Sequence, residues 1–326
     1  MTVDIPVVFA SPDTVSGIRG RPFWNIIFAV VSFLVPVWFG SKIARVTGDA
    51  DRGSAATLTL FTCFALYRAL HLILGRSQIG FLSLSLGAQF FFRGAFLSVF
   101  LAMVMELVAM VFIGPSHAEW KDVPIALIVG FSEEVSKILL VLIGLVLTSN
   151  SLPAELVLTS QASSCIRWWT VLVESPRALA MAGIAAGFGF MTCENIEYLA
   201  VVFVSAPSLG GAIPMAAFRI FFNLHPLLTG LATSRLATEV FQGNQGIKMI
   251  TPGRVTRAVL PSIVIHAAFD FGLMFAATNP DQESLDDAFI TVSVVLIPVT
   301  VCLLVWTYRK LPSMGSSSPL LVRPNV

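Results

Sequence analysis

The stretch PIALIVGFSEEVSKILLVLIGLVL, residues 124–147, decides the fold. Its ionisable side chains are Glu133, Glu134 and Lys137, set in an otherwise apolar run. A helix of about 20 residues crosses a hydrocarbon core, and this stretch is long enough. A charge near a bilayer centre costs roughly 2.5–3.5 kcal/mol on insertion scales. Three charges in one span therefore predict a helix that turns a polar face inward, away from lipid. Glu133 and Lys137 share that face at i,i+4 spacing, and Glu134 sits about 100° around the helix.

The pattern repeats downstream. Residues 178–205 carry Glu194, Asn195 and Tyr198; 212–240 carry Arg219 and His225; 257–278 carry His266 and Asp270. At 1.5 Å rise per residue, the carboxylates and imidazoles lie roughly 12–20 Å from the outer ends of their segments. Four apolar segments with polar groups at one level predict a polar chamber enclosed by helices. Gly183, Gly187 and Gly189, just before Glu194, would let a neighbouring helix approach closely.

Composition agrees with a membrane class. Hydrophobic residues are 56% of the 326-residue chain and charged residues only 12%, with a mean hydropathy of +0.84. Soluble domains carry about 25% charged residues. The balance of 20 basic against 19 acidic side chains gives no basic face for nucleic acid. Cys63, Cys165, Cys193 and Cys302 show no paired spacing, so they read as packing residues.

The expected fold class is an all-α, polytopic membrane helix bundle of about eight transmembrane helices. The spans fall at 22–40, 55–75, 89–114, 124–147, 178–205, 212–240, 257–278 and 288–308. Residues 1–21 form a polar N-terminal segment and 22–308 the membrane domain, with its motif-bearing core at 124–278. The Pro- and Ser-containing tail, 309–326, is expected to be disordered. Residues 166–169, apolar and basic together, suit a stretch lying along the membrane surface. Basic residues gather on the side of the termini (Arg19, Arg21, Arg76, Arg177, Lys248, Arg254) against Lys42, Arg45, Arg52 and Lys121 opposite. The positive-inside rule then places both termini in the cytoplasm. Arg93, near a span end, is expected to extend its head group to water, and Glu106 to serve structure by pairing with a neighbour.

Buried carboxylates and imidazoles can activate water in two ways. In one, Glu133 or Glu134 is the base while His225 and His266 donate hydrogen bonds and carry the proton. In the other, His225, His266 and Glu133 bind a divalent metal such as zinc, leaving a position for water. Lys137 and Arg219 would neutralise the carboxylates, and Asp270 would orient His266 or another ligand.

The run Phe131-Ser132-Glu133-Glu134-Val135-Ser136-Lys137 resembles the EExxK motif of PrsW-type intramembrane proteases. Gly187-Phe188-Gly189-Phe190 followed by Glu194-Asn195-Ile196-Glu197-Tyr198 is similar to that family's glycine-phenylalanine stretch and ENxxY. Arg219, then His225-Pro226-Leu227-Leu228-Thr229-Gly230, continues the likeness. His266-Ala267-Ala268-Phe269-Asp270 resembles the HxxxN/D element of the wider CAAX-protease-like superfamily, with aspartate where many members have asparagine. The resemblance implies a membrane-embedded protease with a membrane-anchored protein substrate and the lipid bilayer as its surroundings. It implies Glu133, Glu134, His225 and His266 as active-site residues, supported by Lys137, Glu194, Asn195, Tyr198, Arg219 and Asp270. It leaves metal-dependent and glutamate-driven mechanisms open.

Two other classes compete. Intramembrane carboxylates and histidines also build proton relays in ion-coupled transporters. Those usually show repeats and helices broken within the membrane, and the sequence predicts neither. A non-catalytic scaffold of the same fold is the third reading.

Overall fold

Capping residues divide the apolar sequence into helices. The computed structural model describes residues 22–75, 82–113, 122–143, 145–147, 171–173, 175–241, 248, 250–277 and 282–311. The expected N-terminal segment, the surface stretch at 166–169 and the tail beyond 311 lie outside these residues.

Helices α1 (Pro22–Thr47) and α2 (Ala50–Gly75) form a hairpin. It turns at Gly48, whose φ of 69° is a left-handed conformation that glycine adopts without a Cβ clash. The Asp49 carboxylate caps α2 by accepting from the Asp51 and Arg52 amides. Helix α3 (Leu84–Phe92) runs through a π-helical turn (Arg93–Ser98) into α4 (Val99–Ile113). Next come α5 (Asp122–Leu142), α6 (Pro176–Ser205), α7 (Leu209–Phe221), α8 (His225–Val240), α9 (Pro252–Ala277) and α10 (Gln282–Arg309). Strands β1 (Leu145–Leu147) and β2 (Val171–Val173) form a short parallel pair with Leu145 opposite Val171. The architecture is an all-α membrane helix bundle, as the composition predicts.

Helix α6 is the central post. It starts at the Ser175 cap, with Pro176 in its first turn, and it packs against α8, α3, the π-turn, α2 and α5. Alanines 178, 180, 182, 185 and 186 are buried along it. A Cβ on Gly187 would stand 2.6 Å from the His225 carbonyl oxygen, and one on Gly189 would overlap the Phe91 carbonyl. These two glycines bring the start of α8 and the end of α3 onto α6, as their spacing predicts. Helices α1 and α4 show the opposite character. Ile26, Phe33, Phe100, Leu107 and Val111 are exposed, a surface suited to lipid.

Three expectations need correction. The fourth span ends at Leu142 instead of reaching 147, and Leu145–Leu147 form β1; Gly144 is a residue that favours helix ends. The sixth span is not one helix. It breaks between Phe221 and His225, where Phe222 leaves helical geometry and Asn223 Oδ1 accepts from the His225 amide at 3.0 Å. Pro226 in the first turn of α8 favours a new start there. Arg93 does not reach for water: it is buried, and its Nη1 donates to the Leu140 and Ile143 carbonyls at the end of α5.

Among the described residues, five helical stretches are long and apolar enough to cross a membrane. They are Phe23–Thr47, Ala50–Ile73, Leu84–Val111, Pro176–Ser205 and Pro252–Gly272. The charged residues of α5, the break between α7 and α8, and the shorter apolar stretch Ser293–Arg309 of α10 separate this set from the eight expected spans.

Candidate active site

Helices α5, α6, α8 and α9 bring their polar residues together. Lys137, fully buried on α5, is the hub. Its Nζ donates to Glu134 Oε1 at 2.6 Å and to His225 Nδ1 at 3.0 Å, and it stands 3.5 Å from Glu133 Oε2. It also sits 4.2 Å above the Phe190 ring of α6. A buried ammonium with such partners ties α5, α6 and α8 together, because losing any carboxylate would leave it uncompensated.

The two adjacent glutamates face different surroundings. Glu134 is fully enclosed, bonded to Lys137 and, at 3.0 Å, to His266 Nδ1. Glu133, about 100° around the helix, lines a cavity of about 670 Å³. His225, His266, Glu194, Arg219, Tyr198 and Asp270 line it too.

Hydrogen bonding sets the imidazole tautomers. With His225 Nδ1 accepting from Lys137, its Nε2–H donates to Glu194 Oε2 at 2.6 Å. With His266 Nδ1–H donating to Glu134, the lone pair on Nε2 turns toward Asp270 Oδ2 at 3.5 Å and Glu133 Oε2 at 3.7 Å. His225 Nδ1 is 3.6 Å from the same Glu133 oxygen. The two rings stand 5.1 Å apart, centroid to centroid. Glu133 Oε2 and Asp270 Oδ2 are both buried without a hydrogen-bond donor. Electron-rich atoms from α5, α8 and α9 therefore confront one another, and a shared proton, a water or a cation between them would relieve the repulsion.

A metal is tested by that donor set. One ligand atom each from Glu133, His225 and His266 lies within 4.8 Å of the others. Two histidines and a carboxylate are a catalytic zinc set that leaves a coordination position for water. The orphaned Glu133 oxygen suits it. The residues fit, although Lys137 competes for the His225 Nδ1 lone pair.

The supporting residues fall into place around Glu194. Arg219 Nη2 is 3.6 Å from Glu194 Oε1, and its Nε donates to Asn195 Oδ1 at 3.4 Å. The guanidinium lies 3.6 Å above the Tyr198 ring. Asn195 Nδ2 reaches Cys63 of α2 at 3.8 Å, which links the hairpin to the site. Cys63 is buried as a packing residue, whereas Cys193 is half-buried and Cys302 exposed.

Sequence reading missed two contributors and the cavity role of a third. Glu106 of α4 pairs with a neighbour as expected, accepting from Ser132 Oγ at 2.7 Å, and it also lines the cavity; its lone charge in an apolar helix was the available signal. Asn223 orients the His225 backbone at the helix break. Phe190 packs 4.9 Å from the His225 ring, centroid to centroid.

A family model described as PrsW family intramembrane metalloprotease matches residues 83–305, from the approach to α3 into α10. No curated protein and no solved structure matches the chain.

Proposed function

The chain belongs to the PrsW family of intramembrane metalloproteases, and on that premise we propose that it hydrolyses a peptide bond of a membrane-anchored protein in this cavity, with Glu133, His225 and His266 as its catalytic residues. The coarser statement, an integral membrane peptidase, follows from the family and from the apolar helices. The observation that carries the finer one is the meeting of Glu133, His225 and His266 from three helices at a cavity inside an apolar bundle.

Glu133 is the base: its Oε2 faces the cavity with no donor of its own, so it is free to take a proton from water. His266 Nε2, 3.7 Å away, receives that proton and delivers it to the leaving amine. Glu134 acts through His266 by holding Nδ1–H, which keeps Nε2 directed at the cavity. Glu194 does the same for His225 through Nε2. Lys137 and Arg219 place two cations among the carboxylates of one enclosure and favour negative charge developing on the substrate oxygen. A divalent ion such as zinc would be held by Glu133, His225 and His266, supplying Lewis acidity and bringing the pKa of a bound water down to about 7. Asp270 Oδ2, 3.5 Å from His266 Nε2, would hold the imidazole once Nε2 has taken up the proton.

Cleavage of a panel of single-span peptides by the purified protein in liposomes tests the reading, with new termini identified by mass spectrometry. Products that disappear with His266→Ala support it. Proton-coupled flux with no peptide product from any member would favour the transporter reading, which the broken α7–α8 segment suits. Chelation beside metal analysis separates the two mechanisms: cleavage retained by metal-free protein removes the ion and leaves the peptidase. From the basic-residue balance we also place both termini in the cytoplasm, where a terminal cysteine tag should resist labelling from outside intact cells.

A further inference from the structure

Glu106 is the sole ionisable side chain of α4, a helix whose neighbouring positions Met103, Leu107 and Met110 are exposed and apolar. A carboxylate in such a helix is costly and usually functional. Ser132 Oγ donates to its Oε1 at 2.7 Å, and Ser132 precedes Glu133 in α5, so the carboxylate is anchored beside the proposed base. It lines the same cavity.

Its electrostatic surroundings differ from those of its neighbours. Glu133 has Lys137 at 3.5 Å and Glu194 has Arg219 at 3.6 Å, while Asp270 lies 3.5 Å from His266, which is cationic only when protonated. Glu106 makes no ion pair within 4.0 Å among the described residues; its bonded neighbour is a neutral hydroxyl. Glu197 lines the same cavity but is exposed, where a charge discriminates less. A single neutral hydrogen bond does not fully compensate a half-buried carboxylate.

We propose that Glu106 is a specificity-determining residue that receives a basic side chain of the substrate near the cleaved bond. The proposal rests on the peptidase reading for the words "cleaved bond", while its binding arm does not. A lysine or arginine entering the cavity would complete the ion pair that α4 lacks. Because the pair would form inside the cavity and away from bulk water, a preference of about ten-fold over a neutral isostere is expected.

The test uses the full-length protein in lipid nanodiscs and synthetic single-span peptides with a Leu/Ala host sequence. Lys, Gln or Glu is placed at successive central positions, and both dissociation constant and cleavage rate are measured. At one register the Lys peptide should bind about ten-fold tighter than its Gln counterpart. Glu106→Gln should remove that preference and leave Gln-peptide binding unchanged. Ser132→Ala, which keeps the charge, should retain the preference, and Glu106→Lys should prefer the Glu peptide. Absence of a Lys preference at every register overturns the proposal, as does a preference that survives Glu106→Gln. Equal weakening of all peptides by Glu106→Gln assigns the residue a bracing role and overturns it too. A Lys preference in binding with no cleavage of any peptide would defeat the peptidase reading while sustaining this one.

Discussion

Two buried histidines, 195 positions apart in sequence, separate the packing half of the molecule from the chemical half. His71, on α2 and facing the approach to α3, has Nδ1 at 3.1 Å from the Tyr67 hydroxyl and Nε2 at 2.9 Å from the Leu82 carbonyl. Around it Phe28, Phe64, Tyr67 and Phe91 stack edge to face or tilted. His266 is equally enclosed, yet one nitrogen is fixed by Glu134 and the other faces two carboxylate oxygens that lack donors. Burial is common to both histidines. What distinguishes His266, the proposed catalytic one, is unbalanced charge at a cavity, the condition under which a small ligand or a proton is held most strongly.

That contrast can be broken in four ways. His266→Ala should lower the cleavage rate by about 10²–10⁴-fold, the range for a lost general acid or base, with insertion and helicity unchanged. Lys137→Met should destabilise the bundle by about 3–5 kcal/mol by stranding Glu134 in the interior; a thermal shift in detergent reads this directly. Glu134→Gln, which keeps a hydrogen-bond acceptor for His266 Nδ1 but removes the charge, should cost about 10–100-fold in kcat/KM. His71→Phe should leave kcat/KM within about two-fold while reducing stability by about 1–3 kcal/mol, since it leaves the Leu82 carbonyl short of a donor. A catalytic effect of His71→Phe as large as that of His266→Ala would erase the distinction.

The legible part of the site was set by helical periodicity. Glu133 and Lys137 share a face because 3.6 residues make a turn, and both point into the bundle because lipid rejects charge. Gly187 and Gly189 announced the close contacts of α6 for a similar local reason. Long-range partners were not legible. The Ser132–Glu106 bond joins residues 26 apart, and nothing in either segment alone specifies it. The break before His225 was written in Asn223 and Pro226, but the surrounding apolar run, residues 212–240, concealed it. The depth of His225 was counted along one continuous helix and loses that basis, since the residue opens α8 against Gly187. Arg93 misled for a physical reason: an arginine near a span end can satisfy itself in water or on the open carbonyls of a neighbouring helix, and here α5 offers the carbonyls.

The central claim is that Glu133, placed in the cavity between His225 and His266, activates the water that cuts the substrate. Reconstituted wild-type and Glu133→Gln proteins, matched for insertion and thermal stability, should be assayed on the same membrane-anchored peptide. The account expects product from the wild type and a loss of about 10³-fold or more in the variant. Wild-type rates from a correctly folded Glu133→Gln protein would contradict it.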